Sequence, residues 1–183
     1  TTINDSSGHE YNGTLINGTN LSVDVKINKG LNFSRESQQW ADLGNGTISN
    51  ETFTINLWIN TSGTNDSEFF SRGINAPAKE FGIRYQDVSG FQRFLIDTNG
   101  ESYVSTSNIS FGKWYMVTAV YNGTGVKLFV NNTLDIEGTR TLNFSENDSA
   151  VLGRRVDAAA RKYAEGMIDV LRIFNFSLNQ SHI

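Results

Sequence analysis

The fold class of this chain is decided by Trp114-Tyr-Met-Val-Thr-Ala-Val-Tyr121, which runs through Asn122-Gly-Thr-Gly125 into Val126-Lys-Leu-Phe-Val130. The first eight residues are apolar on both faces, which predicts a central β-strand. Asn-Gly is a favoured hairpin turn, so we expect the chain to reverse at Asn122 and return as a second strand. This stretch therefore predicts an antiparallel hairpin in the middle of a sheet.

The rest of the chain has the same strand-like pattern. Residues 53–59 alternate strictly, with Phe53, Ile55, Leu57 and Ile59 on one face, which predicts a half-buried strand. Short apolar segments separated by Gly, Asn and Ser recur about every eight to twelve residues, as in sandwiches and barrels. Further strands are predicted at Phe81–Tyr85, Phe94–Ile96, Tyr103–Ser105 and Ile168–Phe174, and weak helical propensity is confined to Asp157–Glu165. The whole pattern predicts an all-β, two-sheet antiparallel sandwich.

Composition limits the classes of function. The 183 residues suit one domain, 1–183, and the net charge of -4 provides no basic surface for nucleic acid. No apolar run approaches the roughly 18 residues of a membrane span. Cysteine is absent, which excludes disulfides, thiolate metal sites and cysteine nucleophiles. A secreted animal module of this size would be expected to carry disulfides, so their absence points to a prokaryotic surface protein, archaeal or bacterial.

Acceptor sites for N-glycosylation are far more frequent than chance predicts. An acceptor has the pattern N-x-S/T without proline at x, because the hydroxyl two residues on helps to present the amide to the transferase. Random placement of the 21 asparagines and 34 Ser and Thr would give ~4 such sequons. The chain has sixteen, at Asn4, Asn12, Asn17, Asn20, Asn32, Asn45, Asn50, Asn60, Asn65, Asn108, Asn122, Asn131, Asn143, Asn147, Asn175 and Asn179.

Two explanations of this excess remain open. Asn, Gly, Ser and Thr are turn residues of any β protein, which accounts for the Asn-Gly pairs. Turn composition does not explain why Ser or Thr so regularly follows two residues after Asn, whereas selection for covalent N-glycans does. We therefore expect an extracellular or cell-surface glycoprotein. No sequon lies between Asn65 and Asn108 or between Asn147 and Asn175, and these stretches are either core strands or surfaces where partners dock.

Several segments together resemble the laminin-G-like, concanavalin A-like jelly-roll domains of prokaryotic surface proteins. The hairpin at residues 114–130 is similar to the family's "W-Y-H-V-x-A-V-Y-D-G" segment, and residues 53–59 to its "F-T-I-x-x-W-I" strand. The opening Asp5 loop, the pair Leu31-Asn-Phe33 and Ala41-Asp-Leu43, Leu152-Gly-Arg154, and Gly166–Asn175 match the remaining motifs in order. The resemblance implies a jelly-roll sandwich across nearly the whole chain.

The resemblance also implies two features near the N-terminus. The family's usual first strand precedes the Asp5 loop, whereas this chain starts at Thr1. We expect either that a neighbouring chain donates that strand to an incomplete sheet edge, or that the sequence was cut there. Relatives also hold a structural calcium between this loop and the last strand, which would place Asp5 and Asp169 as ligands. The alternative is that Asp5 makes a turn and Asp169 accepts backbone hydrogen bonds.

The last predicted strand departs from the family pattern at Val170, where Glu is usual. In a regular strand Ile168, Val170 and Phe174 would share one face with Arg172. This apolar face is either core under the other sheet or an interface with a partner.

The sequence argues against an enzyme. Related glucanases carry their carboxylates in an "E-x-D-x-x-E" strand, and the nearest match here is Asp135-Ile-Glu137 with Thr133 in place of the first Glu. His9 and His182 lie near the termini, where nothing supports a catalytic triad.

We therefore expect a heavily glycosylated structural or adhesive surface protein that self-associates into a filament or array. Its partners would be copies of itself or other surface proteins. The alternative is a lectin-like, carbohydrate-binding or adhesion module of a larger secreted protein, and a glycoside hydrolase is a remote third. Aromatic residues available to stack on sugars are Trp40, Trp58, Tyr85 and Phe91, although such residues more often belong to the core.

Overall fold

A computed structural model describes residues 1–22, 25–27, 29–48, 51–63, 66–73, 79–145, 147–156 and 162–183. The described residues form antiparallel strands and one short 3-10 turn at Gln180–His182. The strands, in chain order, are β1 (Thr2–Ile3), β2 (Gly13–Ile16), β3 (Asn20–Ser22), β4 (Gly30–Phe33), β5 (Trp40–Asn45), β6 (Phe53–Thr61), β7 (Ser67–Gly73), β8 (Lys79–Val88), β9 (Phe91–Thr98), β10 (Glu101–Val104), β11 (Trp114–Tyr121), β12 (Gly125–Val130), β13 (Thr133–Thr139), β14 (Ser149–Leu152) and β15 (Gly166–Phe174).

The strands build two sheets. The eight-stranded sheet has the order β1-β2-β5-β14-β7-β8-β9-β10, and the seven-stranded sheet has the order β13-β12-β11-β6-β15-β4-β3. The hairpin predicted from the Asn122 turn is β11–β12, paired from Tyr121 with Val126 to Val117 with Val130. Because neighbours in each sheet are often distant in sequence, the connections cross between the sheets, as in a jelly roll. The all-β, two-sheet jelly-roll prediction is confirmed.

The core lies between the two sheets. On β6 the alternating residues Phe53, Ile55, Leu57 and Ile59 are all 0% exposed, as their period-two pattern predicts. Aromatic and branched residues of the eight-stranded sheet pack against them, including Phe70, Phe81, Ile83, Phe94 and Ile96. Burial of side chains this large is the main stabilising contribution.

The eight-stranded sheet is also covered on the side facing away from this core. The segment that follows β14 lies over it: Val156 is buried and donates its N–H to the hydroxyl of Ser71, 3.0 Å away. The guanidinium of Arg154 lies 3.6 Å from the ring centroid of Trp40 on the same sheet. The segment of weak helical propensity, Asp157–Glu165, falls largely on residues 157–161, outside the described residues, and residues 162–165 are not helical. No helix among the described residues has the length and apolarity needed to cross a membrane.

Candidate functional site

The sequon asparagines lie almost entirely on the surface. Asn50 and Asn65 are outside the described residues. Of the fourteen that are described, thirteen are exposed, and Asn60, in the middle of the seven-stranded sheet, is 6% exposed. Asn60 is buried because β6, the strand that contains it, lies between β11 and β15, and Asn60 pairs with a residue of each. The exposed asparagines therefore leave room for a sugar, and Asn60 does not.

Several of these side chains are fixed through their oxygen atoms. The Oδ1 of Asn122 accepts the N–H groups of Thr124 and Gly125, at 3.1 and 2.8 Å, and closes the predicted hairpin turn. The Oδ1 of Asn131 accepts the N–H of Met116, and that of Asn108 accepts the N–H of Gln92. A glycan is attached to the amide nitrogen, so these hydrogen bonds are compatible with glycosylation.

The structure brings the two sequon-free stretches together. They supply β14, β7, β8, β9 and β10, which are five consecutive strands of the eight-stranded sheet, and the second stretch also supplies β15 of the seven-stranded sheet. The segment after β14 packs on the same strands, since Lys162 Nζ lies 2.7 Å from the Asp66 carboxylate beside β7. We call the side of these five strands that faces away from the core the bare face. These strands contribute to the core, as the first explanation expects, and their other side is partly covered by the segment after β14. The docking of partners on the bare face stays a prediction.

One end of the bare face has an exposed aromatic side chain. Directly paired residues share a face of a sheet, which places Gln86, Arg93 and Val104 on this side with Arg84. Phe91 is 51% exposed, and the guanidinium of Arg93 lies 5.0 Å from its ring centroid. This end of the bare face therefore offers an aromatic ring beside polar groups.

A buried charge cluster lies in the middle of the bare face. Arg84 donates to Asp97 through Nε at 2.6 Å and through a terminal nitrogen at 3.0 Å, and to Asp66 at 3.1 Å. Burial alone would lower the pKa of Arg84, but the hydrogen bond and charge of Asp97, with the charges of Glu68 and Asp66, raise it. The carboxylates are held by a cation and do not face an open cleft.

A cleft of about 650 Å³ opens between the opening loop and the C-terminal half of β15. Its walls come from residues 3–13, from Leu43 and Thr47, and from residues 171–176. Exposed aromatic side chains stand at its rim: Tyr11 stacks on His9 with the ring centroids 6.0 Å apart, and Phe176 is 54% exposed. Sequence reasoning missed this cleft because its two walls are separated by about 160 residues, and the only sequence signal was the unusual apolarity of the last strand.

The two predicted calcium ligands lie in different surroundings. Asp5 lines the cleft, and its carboxylate accepts the N–H and hydroxyl of Ser7, at 2.8 and 2.6 Å, and the N–H of Tyr11. These bonds, those from Ser7 first, hold the pKa of Asp5 below its usual value. Asp169 is buried outside the cleft lining and accepts the N–H groups of Ile27 and Val170.

These contacts match the alternative stated from the sequence, in which Asp5 makes a turn and Asp169 accepts backbone hydrogen bonds. In the part of the chain that the structure describes, no three His, Cys, Asp or Glu side chains are grouped to hold a metal. Asp5 and Asp169 are thus hydrogen-bond acceptors in separate surroundings, and a calcium ion shared by them stays a prediction.

The predicted apolar interface on the last strand is wrong in its grouping. A β-bulge between Asp169 and Arg172 inserts one extra residue, with Val170 at a φ of 49°. Ile168, before the bulge, pairs with Ile59 and is only 2% exposed, in the core. Phe174, after the bulge, pairs with Thr54 on the opposite face, since the insertion shifts the alternation. Ile168 therefore cannot form an interface with Val170 and Phe174.

The acidic residues nearest to the glucanase pattern have structural contacts. Burial alone would raise the pKa of Asp135, but its hydrogen bonds from Thr106 and Ser107 together lower it. Glu137 forms a surface ion pair with Lys127 at 2.8 Å. Of the four aromatic side chains considered for sugar stacking, Tyr85 is in the core, and Trp40 and Trp58 lie against Arg154 and Lys26. Phe91 alone of the four is exposed.

Comparison with known proteins assigns the fold to a family. The family model for the concanavalin A-like lectin/glucanases superfamily, of the laminin G type, matches residues 35–183. The chain belongs to this superfamily. A search of curated proteins finds no match.

Solved structures share the fold at low sequence identity. Domain 4 of an extracellular arabinanase from Geobacillus stearothermophilus, solved with arabinotriose, is 23% identical, with a TM-score of 0.72 over 92% of this chain and 84% of that one. The binding domain of Paraclostridial Mosquitocidal Protein 1 is 15% identical, with a TM-score of 0.75 over 98% of this chain and 48% of that one. A putative carbohydrate-binding protein from Bacteroides ovatus is 16% identical, with a TM-score of 0.62 over 86% of this chain and 46% of that one. At these identities the likeness establishes the fold alone.

Proposed function

We propose that this chain is a heavily N-glycosylated extracellular structural or adhesive protein that self-associates into a filament or array. The observation that carries the proposal is the division of its surface. Thirteen of the fourteen described sequon asparagines are exposed, whereas five adjacent strands and the hairpin turns between β8, β9 and β10 have no sequon.

The physical reason is steric exclusion. A glycan occupies the space around its asparagine and keeps other proteins away, so a coated surface stays in solvent and a bare surface can pack. Turn composition alone would distribute Asn-x-Ser/Thr over all hairpins, including the turns at Val88–Phe91 and Thr98–Glu101 on the bare face. Those turns contain Gly90 and Gly100 but no sequon.

The coat is tested by glycopeptide mass spectrometry of the protein from its native source. We expect glycans at the thirteen exposed asparagines and an unmodified Asn60, because a sugar on its buried amide would disrupt the pairing of three strands. Asn131, on a turn of the same sheet, is the matched control. Unmodified asparagines throughout would refute the coat.

Assembly is tested by electron microscopy of the same material. We expect filaments or two-dimensional arrays, and a field of isolated monomers would refute self-association. Loss of order after a single added sequon on the bare face, Ser102→Asn with Val104→Thr, would place the contact there, because both residues are exposed and pair with Asp97 and Leu95 on this side. A glycan at Thr141→Asn with Asn143→Ser, on an already coated loop, is the control and should leave the order intact.

A second candidate function, carbohydrate binding, is favoured by the exposed Phe91 beside Arg93 on the bare face. An aromatic ring next to hydrogen-bonding groups is a common platform for a sugar ring. The arabinanase domain and the Bacteroides protein make an arabino-oligosaccharide a reasonable first probe. Calorimetric titration with arabinotriose should give heat that Phe91→Ala abolishes and Phe176→Ala retains, and no heat at millimolar sugar would count against this candidate.

We further infer that the chain is not a hydrolase. Glycoside hydrolysis needs an acid and a second carboxylate facing each other across bound substrate, whereas Asp97 and Asp66 are paired with Arg84. Turnover of a β-glucan that is lost in Asp97→Asn would overturn this inference.

A further inference from the structure

Two exposed acceptor asparagines stand in the walls of the cleft between the opening loop and the end of β15. Asn4 belongs to the opening loop, Asn175 follows directly after β15, and both line the cleft. An N-glycan is bonded to the side-chain amide nitrogen of its asparagine. A glycan on either residue would therefore start at the cleft, with its first sugars within reach of the lining. This step rests on the proposed function, since it requires that these sequons are glycosylated.

The surroundings of Asn175 favour contact between its first sugars and the protein. Asn175 lies between Phe174 and Phe176, whose ring centroids are 5.7 Å apart. Phe176 lines the cleft, yet 54% of its surface is exposed to solvent. One face of a sugar ring carries apolar C–H groups, which pack against aromatic rings in sugar-binding sites. Asn4 has no aromatic residue directly beside it in the sequence, so Asn175 is the stronger attachment point.

The rest of the cleft lining suits the mixed surface of a sugar. Its apolar residues include Leu43, Leu171 and Ile173, and Ser6 and Ser7 line it with hydroxyl-bearing residues. Its volume of about 650 Å³ lies within the range of ~300–1,000 Å³ that small-molecule sites occupy. A ligand that removes exposed apolar surface from water stabilises the protein. A sugar presents an apolar face together with hydroxyl groups, so it matches this lining.

The covalent attachment makes even a weak contact effective. A group tethered by a short flexible link has an effective concentration of roughly 1 mM or more at its site. A contact with a dissociation constant of about 1 mM would then be formed for at least about half of the time. The glycan of Asn175 meets this condition because its attachment point is itself part of the lining.

We propose that the N-glycan of Asn175 folds back into this cleft, with its first sugars packed on Phe176 and against the apolar residues Leu171 and Ile173. The occupant belongs to the same molecule, so the cleft needs no partner to fill it. The glycan bridges the end of β15 and the opening loop, and it protects the loop from local opening. One glycan of the coat therefore has a structural role within the domain.

The test removes this glycan without changing Asn175. Ser177→Ala destroys its acceptor pattern, and Ser110→Ala does the same for Asn108, an exposed asparagine that does not line the cleft, as the matched control. The proteins are produced in the native source, and glycopeptide mass spectrometry records which asparagines are modified. Hydrogen exchange measures the amides of residues 5–11. These amides lie in the wall opposite Asn175, so their exchange reports contact across the cleft.

A second variant separates the glycan from the ring beneath it. Phe176→Ala keeps the acceptor pattern of Asn175, and so keeps the glycan, but removes the ring on which the sugar stacks. In protein made without glycans, the same substitution should leave the exchange of residues 5–11 unchanged, because there is no sugar to hold. Faster exchange in that protein as well would show that Phe176 acts on the loop directly and would overturn the stacking.

We expect the amides of residues 5–11 to exchange at least about 2-fold faster in Ser177→Ala and in Phe176→Ala than in the wild type, because an amide covered for half of the time exchanges half as fast. Ser110→Ala should match the wild type. Equal exchange in Ser177→Ala and Ser110→Ala, with Asn175 glycosylated in the wild type, would overturn the docked glycan and leave the proposed function intact. An unmodified Asn175 among otherwise glycosylated asparagines would also overturn it. Absence of glycans at every asparagine would refute the coat itself.

Discussion

Removal of Arg84 should destabilise the protein more than any other single charge change among the described ion pairs. The side chains of Arg84 and Asp97 are 7% and 6% exposed, and Glu68 beside them is fully buried. Arg84→Met removes the cation that makes a two-point contact with the buried Asp97, and breaking such a buried pair costs about 3–5 kcal/mol. For a domain of this size, that loss corresponds to a melting temperature roughly 10 °C lower.

Urea denaturation followed by circular dichroism measures this loss, with Lys127→Met as the matched control. Lys127 pairs with Glu137 on the surface, where the side chains are 39% and 61% exposed, so its removal should cost roughly 0.5 kcal/mol or less. Arg84→Lys keeps the charge but loses the two-point contact, and its stability should fall between those of Arg84→Met and the wild type. A loss in Arg84→Met no larger than in the surface control would refute the argument that burial makes this pair important.

Three further predictions concern the rest of the domain. In urea denaturation, Gly153→Ala should lower the free energy of unfolding by at least about 3 kcal/mol and Gly90→Ala by only about 1 kcal/mol. Both glycines have φ near +80°, but only at Gly153 would the added Cβ meet another group, the Phe33 ring at 2.5 Å. Equal losses would contradict this. Burial first, and then the charge of a neighbouring carboxylate, raise the pKa of Tyr85 to about 12. The stability that Tyr85 contributes is therefore complete below pH 10 and is lost as pH rises towards 12. The free energy of unfolding should fall less between pH 9 and pH 11.5 in Tyr85→Phe than in wild type. A calcium concentration of ~5 mM is above the dissociation constants of weak extracellular calcium sites. It should shift the melting temperature by less than about 1 °C, and a larger rise that Asp5→Asn removes would support the predicted metal site.

The sequence alone was sufficient to predict the fold. Strict alternation over Phe53–Ile59 and the Asn-Gly turn after Tyr121 are local signals that predict β6 and the β11–β12 hairpin. The predicted half-burial of β6 was wrong, since Thr54 and Asn56 on its other face are also buried. The positions of the sequons can also be read directly from the sequence. The prediction that they lie on the surface agrees with the exposure of all but one of the described sequon asparagines. Asn60 could not be separated from the rest, because burial on both sides depends on β11 and β15, which are distant in the sequence.

The tertiary structure decided what the sequence left open. The bulge at Val170 reversed the face of Phe174, because an inserted residue changes the direction of every side chain after it and no local pattern signals the insertion. The bare face and the cleft exist only after the chain folds, since each is assembled from segments that are far apart in the sequence. The sequence therefore determined a two-sheet sandwich with many N-glycosylation sequons, and the tertiary structure determined which of its surfaces carry them and which do not.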